Sequence, residues 1–140
     1  MPRRYVYETV VDVPPEQLFA AIIDIPRWPE WDAELISTEQ GAGLLQTGSR
    51  FALKPKGGPR VAMTVEAIEA PRLFADVARL PLARMRTRHD FERLSHGTRI
   101  RITIETTGFL AFLWDRLVAR KQAAGAAEQT RRFADFAKTL

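Results

Sequence analysis

His89 and His96 are the side chains of this 140-residue sequence best suited to proton transfer near neutral pH. A neutral imidazole can orient a ligand carbonyl or hydroxyl group, or act as a general acid or base. If the chain is an enzyme, His89 is the candidate catalytic residue, with Asp76 or Arg93 as a second proton-moving group. The alternative is a core histidine whose ring nitrogens bond to the backbone or to Thr87.

Other catalytic chemistries find little support in the sequence. The two histidines lie apart and His96 falls in a predicted hairpin turn, so a shared metal site is not expected. The chain has no Cys, which excludes thiol nucleophiles, thiolate metal sites and disulfides. Gly41, Gly43 and Gly48 lack the spacing of a dinucleotide-binding loop and precede no predicted helix. We therefore expect neither a metal nor an organic cofactor.

Basic residues exceed acidic residues by four, and 17 of the 21 basic residues are Arg. Seven of these lie between Arg79 and Arg101 and alternate with apolar or neutral residues, which is typical of the exposed face of a sheet. Exposed aromatic residues do not interleave with them, so nucleic-acid binding is not expected. An alternative is that they contact an anionic lipid surface or an acidic protein, together with the apolar segment Phe109–Trp114.

Length and composition favour one domain that spans residues 1–140, since 46% of the residues are hydrophobic and 27% are charged. No apolar stretch follows Met1–Arg4 as an export signal would require. The apolar run Phe109–Trp114 is far shorter than the ~20 residues of a membrane-spanning helix. We therefore expect a cytoplasmic protein without a transmembrane segment.

The hydrophobic pattern divides the chain into strands and helices. Turn residues recur every 8–14 positions through the middle of the sequence, which favours an antiparallel meander over parallel βαβ units. In chain order we predict a strand at 3–13, a helix from Pro14 to Asp24, a helical turn at Ile25–Trp31, strands at 33–40, 48–55, 60–69, 72–80, 83–94 and 98–107, and one long helix at 109–138.

Charges set the register of the last predicted hairpin. If His96–Gly97 forms a two-residue turn, Glu92 faces Arg101 and His89 faces Ile104. Opposite charges then share the outer face and apolar pairs share the inner face, as a sheet with one buried face requires. The predicted inward residues of the first strand of this hairpin are Met85, Thr87, His89 and Phe91.

This element order, with the segments Val11–Phe19 (VDVPPEQLF) and Asp24–Trp31 (DIPRWPEW), resembles the Bet v 1/START-like superfamily, also called SRPBCC. It is similar in particular to the bacterial polyketide cyclase/dehydrase and lipid-transport family. The resemblance covers essentially the whole chain and implies an α+β helix-grip fold. In that fold a seven-stranded curved antiparallel sheet wraps a long C-terminal helix, two short helices follow strand one (β-α-α-β6-α), and an apolar cavity is enclosed. Members bind lipids, hormones or quinones, or close polyketide rings.

We predict a small-molecule binding protein for a hydrophobic lipid-, quinone- or polyketide-like ligand, held in a cavity between the sheet and the C-terminal helix. One alternative is a cofactor-independent cyclase or dehydratase that uses His89 as acid or base. Another is a lipid-surface or protein-interaction module, and a homodimer is left open. The candidate ligand-binding residues are Trp28, Trp31, Phe51, Met63, Met85, Thr87, His89, Phe91, Ile102, Ile104, Phe112 and Arg116.

Overall fold

The computed structural model describes residues 3–41 and 43–140. Seven strands form one antiparallel sheet in the order β1-β7-β6-β5-β4-β3-β2. The strands are β1 (Arg3–Val11), β2 (Leu35–Gln40), β3 (Arg50–Pro55), β4 (Val61–Glu69), β5 (Leu73–Leu80), β6 (Ala83–Arg93) and β7 (Thr98–Thr107). The helical segments are α1 (Pro15–Ile23), a 3-10 helix (Ile25–Glu30), α2 (Ala111–Trp114), a π-helical turn (Asp115–Ala119), α3 (Arg120–Ala124) and α4 (Ala126–Ala137). The predicted α+β helix-grip fold is confirmed.

Prolines define the two short helices between β1 and β2. Pro15 opens α1, where a backbone N–H would have no helical partner in any case. Pro26 restricts the residue before it, so the chain leaves α1 and continues as the 3-10 helix. Leu18 and Ile22 of α1 are fully buried, and α1 packs against β5, β6 and α4.

Side chains alternate between a buried inner face and an exposed outer face along the central strands. On β7, Ile100 is fully buried, whereas Arg99 and Arg101 on either side of it are exposed. Arg99 forms an ion pair with Glu92 on β6. Arg101 forms one with Glu8 on β1. These arginines lie on the exposed sheet face, as predicted.

The predicted register of the β6–β7 hairpin is wrong by two residues. Because side chains alternate along a strand, a shift of two leaves each side chain on its predicted face. His89 and Thr87 therefore stay on the inner face. The observed facing pairs are Glu92 with Arg99 and His89 with Ile102, where Arg101 and Ile104 were expected.

The conformation of the loop between β6 and β7 explains why the predicted register is wrong. A two-residue type I′ turn needs a positive φ at both His96 and Gly97, but of these two only Gly97 has one, at 85°. The chain instead forms a four-residue loop, in which the N–H of Leu94 donates to the carbonyl oxygen of Gly97 at 3.0 Å. A Cβ atom on Gly97 would overlap the carbonyl oxygen of Val11, so this loop requires glycine at that position.

The predicted C-terminal helix is present, but it is not one regular helix. The π-helical turn widens it after α2, and Gly125 separates α3 from α4. The ring of Phe133 on α4 packs 4.9 Å from Trp31 and 6.2 Å from Phe91, measured between ring centroids. The helix thus covers the inner face of the sheet. Among the described residues no helix is long and apolar enough to cross a membrane.

Candidate functional site

A cavity of about 50 Å³ lies between the inner face of the sheet and the C-terminal helices. That volume has room for a few water molecules, and it is well below the ~300–1,000 Å³ of pockets that enclose drug-sized ligands. Strands β6 and β7 form one wall, and α3 and α4 form the other. The lining residues are Trp31, Thr87, His89, Ile102, Ile104, Gln122, Ala126, Gln129, Thr130 and Phe133.

Strand β6 places His89 in the wall of this cavity. Its Nδ1 atom is enclosed and has no hydrogen-bond partner among the described residues. Burial lowers the pKa of His89 from 6.5 to about 4, and the Phe74 backbone and the charge of Asp90 only partly offset that effect. The imidazole is therefore neutral at pH 7, with one ring nitrogen as a donor and the other as an acceptor.

Two more buried polar atoms on the cavity wall lack a partner within the described part of the chain: Trp31 Nε1 and Thr130 Oγ1. With His89 Nδ1 they come from three separate elements. The neighbouring Trp28 differs, because its Nε1–H donates to the carbonyl oxygen of Ile22 at 2.9 Å. A buried polar group without a partner costs about 1–3 kcal/mol. Three such groups around one cavity therefore indicate a place for a polar group of a ligand, or for water.

Asp76 is a buried carboxyl group next to this wall. Strand β5 places it directly opposite Thr87, and only 4% of it is exposed. Burial, reinforced by the charge of Glu66, raises the pKa of Asp76 from 3.8 to about 7. Near neutral pH this carboxyl group can therefore donate or accept a proton. Residues 3–41 and 43–140 contain no group of three or more His, Cys, Asp or Glu side chains that could hold a metal ion.

The predicted ligand-binding residues lie in three environments, which are the cavity wall, the buried core and the exposed surface. Those that line the cavity are Trp31, Thr87, His89, Ile102 and Ile104. Those buried in the core without lining it are Trp28, Phe51, Met63, Met85 and Phe91.

The third environment is the surface, because Phe112 and Arg116 are exposed and lie outside the cavity, where the prediction had placed them in its lining. The N–H of Leu110 donates to the carbonyl oxygen of Leu82, which ties the start of α2 to the β5–β6 turn at the end of the sheet. Arg93, the alternative polar group, forms an ion pair with Glu16 at the surface.

The predicted cavity lies between the sheet and the C-terminal helix, but none of the helical residues that line it was among the predicted ligand-binding residues. These helical residues are Gln122, Ala126, Gln129, Thr130 and Phe133. Their spacing of three or four places them on one face of a helix, and this spacing was the available signal. An alanine-rich stripe with a few polar side chains is equally typical of a helix packed on a sheet, so the pattern alone could not distinguish a cavity wall.

Comparisons with known proteins agree with the fold. A family model described as "Polyketide cyclase / dehydrase and lipid transport" matches residues 3–139. No curated protein is significantly similar in sequence.

Three solved structures illustrate the likeness. Protein MLL2253 from Mesorhizobium loti is 20% identical, with a TM-score of 0.76 over 99% of this chain and 98% of that one. The Zhui aromatase/cyclase from Streptomyces sp. R1128 is 11% identical, with a TM-score of 0.78 over 99% and 94%. Ara h 8.0201 is 16% identical, with a TM-score of 0.74 over 100% of both chains. At these identities the structures share the fold.

Proposed function

The chain belongs to the polyketide cyclase/dehydrase and lipid-transport family, and on that premise we propose that it binds a small, largely apolar ligand in the cavity between the sheet and α3–α4. The observation that supports this most directly is the set of three buried polar atoms on the cavity wall that have no partner among the described residues: Trp31 Nε1, His89 Nδ1 and Thr130 Oγ1. Burial of carbon supplies affinity in such a site, and a few polar groups fix orientation.

The polar atoms define the chemistry of the ligand. The indole N–H of Trp31 only donates, so it needs an acceptor such as a carbonyl oxygen. Neutral His89 and the Thr130 hydroxyl can each donate or accept. A hydroxylated or carbonyl-bearing apolar molecule fits these groups, whereas a plain hydrocarbon leaves them unpaired.

The cavity must enlarge to enclose such a ligand, because its volume of about 50 Å³ is too small for one. Gly125 separates α3 from α4 within the helical wall, and a break of this kind lets one helix move relative to the other. We propose that ligand entry displaces α4 from the sheet.

Thr130→Val tests the binding proposal, because valine keeps the shape of threonine and removes the hydroxyl group. Thr106→Val is the matched control, since Thr106 is equally buried and unpartnered but does not line the cavity. The ligand is sought by native mass spectrometry of the purified protein, and affinity for it, or for a hydroxylated fluorescent probe, is measured by titration. We expect Thr130→Val to weaken binding by about 2- to 13-fold. Equal affinities for the two variants would contradict the proposal.

A second candidate function, a cyclase or dehydratase, is favoured by two buried titratable groups on neighbouring strands: Asp76 on β5, which faces Thr87, and His89 on β6, which lines the cavity. The pKa of Asp76 is about 7 and that of His89 is about 4. Between these pH values Asp76 is protonated and can act as an acid, while His89 is neutral and can act as a base. Turnover of a polyketide-like substrate is then expected to follow a bell-shaped pH profile with limbs near these values. His89→Gln should slow it by about 10²–10⁴. Binding without any turnover would favour the first proposal.

A further inference from the structure

Four exposed apolar side chains lie on segments that meet at one end of the sheet, and we call this surface the apolar tip. It consists of Leu82 in the β5–β6 turn, Phe109 before α2, Phe112 on α2 and Leu117 in the π-helical turn. Phe109 is 83% exposed and Phe112 is 60% exposed. Among the described residues these are the exposed phenylalanines, and monomeric proteins seldom leave such a group of side chains in water without a use.

Two hydrogen bonds hold the parts of the apolar tip together. The N–H of Leu110 donates to the carbonyl oxygen of Leu82 at 3.0 Å, and the Trp114 Nε1–H donates to that of Pro81 at 2.8 Å. Leu82 has a φ of 55°, a conformation that costs energy for a bulky residue. Glycine would suit this turn better for folding alone. A strained leucine that is mostly exposed instead indicates a role at the surface.

Four cations lie on the elements that form the apolar tip or adjoin it. Arg79 and Arg84 face each other across the β5–β6 hairpin, and a like-charged facing pair is destabilising. Arg116 and Lys121 extend the charge along the helix, and all four are exposed. None of the four forms an ion pair with another described residue, whereas outer-face arginines further along the sheet such as Arg86 do.

We propose that the apolar tip docks on an anionic phospholipid membrane surface, with Phe109 and Phe112 inserted among the lipids and the four cations facing the headgroups. Aromatic and leucine side chains beside Arg and Lys are the composition that favours binding at a charged bilayer surface. A second copy of this chain is a poor occupant, because a two-fold interface would set each cation cluster against its own kind. The proposal is independent of what the cavity binds.

Vesicle co-sedimentation of the full chain tests the proposal, with phosphatidylcholine vesicles that either contain or lack phosphatidylserine. We expect binding to the anionic vesicles that weakens as salt is raised. Arg79→Gln/Arg84→Gln should lower the partition coefficient about 30-fold. Phe109→Ser should lower it about tenfold or more.

Matched controls separate the apolar tip from general charge and hydrophobicity. Arg93→Gln/Arg99→Gln removes the same charge from the opposite end of the sheet, and Leu44→Ser removes an apolar side chain that is 93% exposed elsewhere. Both should bind vesicles like the wild type. Absence of vesicle binding, equal losses in tip and control variants, or self-association that Phe109→Ser abolishes would overturn the proposal. Thr130→Val, which tests the cavity, should leave vesicle binding unchanged, so the two proposals can fail separately.

Discussion

His89 and Asp76 depart from their ordinary pKa values in opposite directions for one physical reason. Burial disfavours the charged form of each, so the pKa of the base falls to about 4 and that of the acid rises to about 7. An ion pair between the two side chains would instead raise the pKa of His89 and lower the pKa of Asp76. The two residues are therefore held as neutral groups, which suits hydrogen bonding to an uncharged ligand.

These values give the two residues opposite effects on stability as pH changes. Between pH 4 and 6.5 the unfolded chain holds the extra proton on His89, so stability rises with pH. Between pH 3.8 and 7 the folded chain holds the extra proton on Asp76, so stability falls with pH. In the wild-type protein the two contributions nearly cancel through most of this range.

Single substitutions should reveal each contribution, measured by urea unfolding across this pH range. In Asp76→Asn the His89 contribution remains, and the free energy of unfolding should rise by roughly 3 kcal/mol as the pH is raised through this range. In His89→Phe the Asp76 contribution remains, and it should fall by roughly 4 kcal/mol. Parallel pH profiles for the wild type and both variants would show that neither group is buried as described.

The sequence located the inward strand residues of the site but not its full extent. Alternation along β6 was enough to put Thr87 and His89 on the inner face. The position of Phe112 could not be predicted in the same way, because it depends on where α2 begins relative to the end of the sheet. That point is set by a long-range backbone hydrogen bond to Leu82, and no local pattern reports it.

At the scale of elements, the β6–β7 register has a direct energetic test. Glu92 pairs with Arg99 across the outer face, and both side chains are largely exposed. A double-mutant cycle with Glu92→Gln and Arg99→Gln should give a coupling of about 0.2–1 kcal/mol. The same cycle with Arg101→Gln should give none, since Arg101 pairs with Glu8. Coupling of Glu92 to Arg101 and not to Arg99 would instead support the predicted register, in which His96 and Gly97 form a two-residue turn.

The break at Gly125 is the second testable feature at this scale. A Cβ atom there would meet the Lys121 carbonyl oxygen at 3.5 Å, an ordinary contact, so alanine fits. Gly125→Ala should raise the free energy of unfolding by about 0.4–1 kcal/mol, because alanine restricts the unfolded chain and favours helix. If the break lets α4 move, the same variant should bind the cavity probe more slowly in stopped-flow mixing. Faster or unchanged binding would argue against that movement.

Hydrophobic periodicity predicted every strand and helix of this fold to within a few residues, because the burial pattern of each element is local. The irregularities could not be predicted from it. The π-helical turn and the hairpin loop depend on how the helix start and Gly97 meet distant backbone groups, and those contacts form only in the folded chain.

At the scale of the whole molecule, the C-terminal segment contributes to both proposed sites, the cavity and the apolar tip. Its α2 and π-helical turn supply two of the four residues of the apolar tip, and its α3 and α4 form one wall of the cavity. A ligand that moves α4 would act on the part of this segment after Gly125, and a membrane that holds α2 would act on the part before it. The break at Gly125 therefore separates the helix proposed to move from the helix proposed to dock.

The same segment should also be indispensable for folding. Its removal after Ala119 would uncover Trp31 and Phe91, which pack on Phe133, and with them a few hundred Å² of apolar surface, a loss on the order of 10 kcal/mol. That is comparable to the whole stability of a typical domain, ~5–15 kcal/mol. We expect the fragment 1–119 to lose cooperative urea unfolding, whereas removal of only Thr139 and Leu140, which are exposed, should leave it nearly intact. A fragment that unfolds cooperatively would mean that the sheet carries its own core, and the cavity would then lie outside the folding unit.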